Sequence, residues 1–229
     1  MCYNQTTSLI AFSISFICFS YLMYIGLKHN NKYDIYAAIL TILIGGMQLI
    51  EFGLWRSQDC SYMNHKISLF IIFYLYLQVI IISIVSIKFF ATTSSNILSY
   101  FIIFACIIFT LLIIYILNWL NKKKLCSKPS INSCRLVWAP FSIMYKNSSG
   151  IILLALFLFF YFLLACYSIA IQSIKGALQY PLRYSILPIT YMVSLIYSIM
   201  TEGKYFVDIV GSFWCFNAIA FGIVSCLHI

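Results

Sequence analysis

Charge is what this sequence has least of. Charged residues make up 8% of the 229, and only five of them are acidic, while 63% are hydrophobic. Soluble globular domains run nearer a quarter charged and half apolar, so the composition excludes that class and predicts an integral membrane protein. Glycine and proline are also scarce. No phosphate-cradling glycine loop, no His-Glu-Xaa-Xaa-His zinc helix and no Gly-Xaa-Ser-Xaa-Gly nucleophile turn occurs. The three histidines, His29, His65 and His228, fall in expected loops or the tail at no metal spacing, and Cys126 and Cys134 are eight apart with no histidine beside them. No metal and no cofactor is therefore expected. Lys204 precedes the last apolar run, so it does not stand where a mid-helix retinal lysine would. The formal charge of +9 is no nucleic-acid signal, because no basic run is interleaved with solvent-facing aromatics.

What is present is a series of long apolar runs. They predict an all-α, polytopic membrane bundle of about seven transmembrane helices, one domain over residues 1–229. The expected spans are Ser8 to Leu27, Ile35 to Trp55, Ile67 to Ile87, Ile97 to Leu120, Ile151 to Gln172, Ser185 to Met200, and Phe206 to near the C-terminus. The first five are long enough for a hydrocarbon core of ~30 Å; the sixth is at the lower limit. The first run lacks a basic start and a clear cleavage site, so it reads as a retained helix. Its Ser8, Ala11, Ser15 and Cys18 form a small-residue stripe that lets a neighbour approach closely. Lys28 to Asp34 reads as a polar turn and Ser173 to Tyr184 as a basic loop. The only long connection is 121–150, in which Trp138 to Phe141 suits a short interfacial segment.

With seven spans, nine of the 14 basic residues share the N-terminal side and five the other. That bias predicts a cytoplasmic N-terminus. Cys2, Cys60, Cys126 and Cys134 gather on the same side, together with two N-glycosylation triplets at Asn4 and Asn147. Those features would suit disulfides on a lumenal face; plain thiols are the alternative.

The densest polar information lies between Met47 and Trp55. Gln48, Glu51 and Trp55 share one helical face. With Trp55 at the headgroup level, Glu51 sits about 6 Å deeper at ~1.5 Å per residue. An ionisable group there costs roughly 2.5–3.5 kcal/mol, which makes it a candidate site. Seven spans bring Asn4 and Ser8 of the first helix and Asp208, Ser212 and Cys215 of the last toward the same surface. Such a cluster could bind a cation, relay a proton or act in acid–base chemistry; it could equally tie helices together at roughly 0.6–1.7 kcal/mol per hydrogen bond. Asp208 also suits a solvated first-turn carboxylate.

The start Met1-Cys2-Tyr3-Asn4, the Gln48-Leu49-Ile50-Glu51 segment with Trp55, and Gly211-Ser212-Phe213-Trp214-Cys215 resemble a family of uncharacterised multi-pass membrane proteins of giant DNA viruses, with distant bacterial relatives. Family members typically open Met-Cys-Trp-Asn or Met-Cys-Phe-Ser and carry Gln-Xaa-Xaa-Glu in the second helix. This chain has Tyr3 for the aromatic Trp or Phe, Gln5 for the usual Ala, and Phe52 where bacterial relatives place Gly. The resemblance implies a viral or host membrane and brings no activity. Three functions are weighed: a membrane component of unknown activity, a small-solute or ion transporter using Glu51 and Gln48, and a lipid-modifying enzyme using Glu51 or Asp208 beside Cys2 or Cys215. Only two carboxylates suit the enzyme, so a catalyst is the weaker expectation and no catalytic residue is assigned. The expected partner is the lipid bilayer, with further copies of the chain or other membrane proteins left open, and no nucleic acid.

Overall fold

A computed structural model describes residues 4–90, 96–130, 135–203 and 210–227. Cys2, Cys134, Lys204, Asp208 and His228 lie outside the described residues. Helix α1 (Gln5–Lys28) starts on Asn4, whose side chain accepts the Thr7 amide at 3.0 Å, an ordinary N-cap. After a three-residue turn, α2 (Lys32–Arg56) starts on Asn31, which accepts from Tyr33 in the same way. Helices α3 (Tyr62–Phe90) and α4 (Asn96–Asn121) follow, and then α6 (Ser148–Gln179), α7 (Pro181–Glu202), α8 (Val210–Asn217) and α9 (Ile219–Cys226). Between α4 and α6 lie a two-stranded antiparallel hairpin, β1 (Lys128–Pro129) with β2 (Leu136–Val137), and the short helix α5 (Ala139–Lys146).

Five of these helices, α1, α2, α3, α4 and α6, are long and apolar enough to cross a membrane. The expected sixth and seventh spans correspond to α7, whose apolar part Ser185–Thr201 is shorter, and to α8 and α9, eight residues each. The fold is therefore all-α with five candidate spans, and seven is not established. The expected basic loop from Ser173 to Tyr184 is corrected: α6 continues to Gln179 and only Tyr180 separates it from α7. A lysine such as Lys175 does not end a helix. The break comes before Pro181, at the first turn of α7, where a missing amide hydrogen costs nothing.

Helix α2 is the axis of the bundle. Of its apolar window 61% is buried, against 28–39% in the other four spans. The small-residue stripe of α1, Ser8, Ala11, Ser15 and Cys18, is its buried face. It lies on α2 so closely that a Cβ at Gly45 would overlap the Ser15 side chain. The main apolar core joins α2, α3, α4 and α6, with Phe109 stacked on Phe160 at 5.7 Å between ring centres. Gln78 of α3 is buried and donates to the Leu43 carbonyl at 2.8 Å.

Asp34 is not a solvated turn residue. Its carboxylate is buried and accepts from Arg183 of α7 at 3.0 Å and from Asn31 at 2.8 Å. Arg183 also donates to the Ser225 carbonyl at 3.0 Å and lies over the Tyr180 ring at 4.2 Å. The pair joins α2, α7 and α9 at the end of the bundle away from Glu51. Removing one partner of a buried pair strands the other charge. Arg183→Leu is therefore expected to lower stability by roughly 3–5 kcal/mol, read by thermal unfolding in detergent. Unfolding at the parent temperature would contradict the pairing.

Candidate functional site

The described parts of the 121–150 connection, 121–130 and 135–150, pack against the helices and do not form a solvent loop. They fold back as a cap on the end of the bundle that carries Glu51. Its floor is a side-chain network around Ser127. Asn64 of α3 donates to the Ser127 carbonyl at 2.9 Å and accepts the Ser127 amide at 2.8 Å, as a strand neighbour would. The Ser127 hydroxyl meets that of Ser68 at 2.8 Å and accepts the Ala139 amide at 3.1 Å. Cys60 and Cys126 are joined by a disulfide beside this network. Pro140 opens α5, and Leu136, Trp138, Phe141 and Met144 are buried. An apolar content this high cannot stay in water, so the segment packs.

The cap delivers two side chains to Glu51. Trp138 donates from Nε1 to the Glu51 carboxylate at 3.1 Å, and both side chains are 2% exposed. Arg135, three residues earlier and also buried, lies close enough for its charge to act on the same carboxylate. From α8, the Ser212 hydroxyl faces the carboxylate, and Cys215 is buried within electrostatic reach of it. Gly211 makes room: a Cβ there would overlap the Trp138 ring. Gln48, one turn from Glu51 on α2, faces the carboxylate as well, and its buried Nε2 makes no hydrogen bond of ordinary geometry among the described residues.

Of the expected cluster, the structure brings together Gln48, Glu51, Ser212 and Cys215. Trp55 is half-buried against the main core, without a described bond to Glu51. Asn4 is exposed, and its side chain is used in capping α1. Ser8 is buried in the α1–α2 seam. Asp208 lies outside the described residues. Sequence reasoning missed Trp138 and Arg135, the two groups that engage Glu51 from the cap. The signal for them was the apolar character of the connection, with Leu125, Leu136, Val137, Trp138 and Phe141 too hydrophobic for a solvated linker.

Chemically, Glu51 is a buried carboxyl group whose oxygens meet an indole N–H and a hydroxyl, with a guanidinium charge nearby. The guanidinium charge disfavours a metal cation beside Glu51. Among the described residues no three His, Cys, Asp or Glu side chains gather as a metal site requires. Set beside known protein families, curated proteins and solved structures, the chain finds no match in any of the three.

Trp138→Phe keeps the ring packing but leaves the Glu51 acceptor short of one donor. It should cost roughly 1–3 kcal/mol. A double-mutant cycle with Glu51→Leu, which removes the acceptor, should show coupling of about 0.5–3 kcal/mol, and simple additivity would deny the interaction.

Proposed function

We propose that this chain is a non-catalytic multi-pass membrane protein in which Glu51 anchors the 122–147 cap to the end of the bundle. The observation that carries the reading is the convergence of Trp138 and Arg135, both from the cap, on one enclosed carboxylate. A catalytic acid or base must reach a substrate, and 2% exposure leaves Glu51 little surface to offer. The long apolar helices support a membrane setting. The reading counts α7 and the α8–α9 pair as the sixth and seventh crossings. The resemblance to giant-virus membrane proteins adds a virion or host membrane as the proposed location.

A second reading, small-solute or ion transport, is favoured by the buried face of α2. Asp34, Thr41 and Gln48 follow at seven-residue intervals and Glu51 comes three later, each no more than 2% exposed. The stripe is about 26 Å long at ~1.5 Å per residue, close to the thickness of a hydrocarbon core. Ionisable residues inside a membrane often mark such routes. In this reading the described conformation is closed, with Asp34 held by Arg183 at one end and Glu51 by the cap at the other.

On orientation the supports divide. The lysine excess of the cap side favours the cytoplasm, whereas the Cys60–Cys126 link favours an oxidising compartment. A covalent bond is the stricter criterion. The reading therefore follows the disulfide and turns the cap and the N-terminus away from the cytoplasm, reversing the expectation from charge.

Two experiments test these statements. In reconstituted vesicles, Glu51→Gln should unfold close to the parent temperature, because the amide oxygen still accepts from Trp138, and Glu51→Leu should lose roughly 1–3 kcal/mol. Neither should change proton-driven or cation-driven flux; flux in the parent that disappears in Glu51→Gln would replace the anchor with the transport reading. In membranes trapped with a thiol alkylator, Cys60 and Cys126 should label only after reduction. Labelling without reductant would return the cap face to the cytoplasm.

A further inference from the structure

The lysines at the cap end raise a separate question, independent of which side of the membrane the cap faces. Between α3 and the end of α4 lies an open groove of about 330 Å³, lined by Lys66, Leu69, Phe70, Phe73, Leu117, Asn118 and Asn121. The volume falls in the range of small-molecule sites. Its polarity is sorted along the membrane normal. Lys66, Asn118 and Asn121 stand at the cap end. Phe70 and Phe73 follow on the same face of α3, about 6 and 10 Å deeper at ~1.5 Å per residue. Both rings are exposed, at 44% and 37%.

The cap end of the groove is at headgroup level by independent marks. Lys66 lies over the Tyr62 ring at 5.2 Å, and Lys123 over Trp119 at the same distance. Such aromatic and basic belts belong to the membrane–water boundary. His65 reaches Asn121 at 3.4 Å and accepts the Leu125 amide at 3.4 Å, tying the two helix ends and the cap start together. Lys122, Lys123 and Lys124 follow directly on Asn121 and are exposed. No lining residue is acidic. A cation and amides above a slot of Leu and Phe match an amphiphile with a negative head.

We propose that this groove binds one anionic phospholipid, its phosphate at Lys66, Asn118 and Asn121 and an acyl chain along Phe70, Phe73 and Leu117. A soluble anion would have no use for the apolar half, and a zwitterionic lipid would gain little from the lysines. Basic pockets between transmembrane helices take anionic headgroups for this reason. The site is separate from Glu51 and does not depend on the anchor reading.

The test is retention of lipid by the full chain extracted from nanodiscs of equal phosphatidylglycerol and phosphatidylcholine, read by native mass spectrometry. The parent should keep phosphatidylglycerol over phosphatidylcholine by about fivefold or more, the factor one lysine near an anionic surface supplies. Lys66→Gln, an exposed change, should bring that ratio close to one at unchanged melting temperature. Lys28→Gln, at the opposite end of the bundle, should leave it alone. Phe73→Ala should reduce retention of both lipids. Equal retention by the parent, or a preference that survives Lys66→Gln, would overturn the proposal. Displacement of the lipid by millimolar glycerol phosphate would overturn its acyl half.

Discussion

A carboxylate inside an apolar bundle must be paired, solvated or neutralised, because burying a bare charge costs far more than a protein's net stability. Glu51 is that carboxylate, and much of the cap end can be traced to how it is satisfied. Its donors come from two distant parts of the chain, Ser212 from α8 and Trp138 from the connection between α4 and α6, which also brings the Arg135 charge near. Meeting them requires Gly211 beside the indole, and a connection apolar enough to be buried. The Asn64–Ser127 bonds and the Cys60–Cys126 disulfide hold that connection in register from the other side. The cap is thus fixed at two places, by backbone-like pairing at its start and by the Trp138–Glu51 bond further on.

The opposite end repeats the theme with different chemistry. Asp34 and Glu51 are both on α2, and each has an arginine from another part of the chain near it: Arg183 of α7, ion-paired with Asp34, and Arg135 of the cap, whose charge acts on Glu51. The most enclosed helix therefore carries its two acids at its two ends, and each one draws another element of the chain onto it. Buried pairs of this kind add less net stability than well-packed apolar residues would, and they penalise misplacement heavily. Their effect is to specify which helix and which loop lie against α2. In a bundle whose helices are nearly all apolar, with little else to tell one face from another, that specificity has evident value.

How much of this could be read beforehand follows from the physics of each signal. Apolar runs of membrane length marked α1 to α4 and α6, since length and hydropathy are local properties. The small-residue face of α1 was legible for the same reason, as was the shared helical face of Gln48 and Glu51. The partners of Glu51 were not, because Trp138 lies 87 residues away, in a segment without the period that helical reasoning needs. Asp34 was hidden by position: near Lys28 and Lys32 it looked like part of a solvated turn. Arg183 was counted as a loop cation, since the fifth span was ended at Gln172 whereas α6 runs on to Gln179, just before Pro181. Asn4 was grouped with Glu51 by depth alone, and its side chain turned out to cap α1.

If Glu51 holds the cap, removing its acceptor should release that segment and little else. Hydrogen–deuterium exchange of the detergent-solubilised parent and Glu51→Leu, followed peptide by peptide, measures this directly. The account predicts faster exchange across residues 122–147, with α3 and the middle of α6 unchanged. Exchange in that segment identical to the parent, or acceleration spread evenly over all helices, would contradict it.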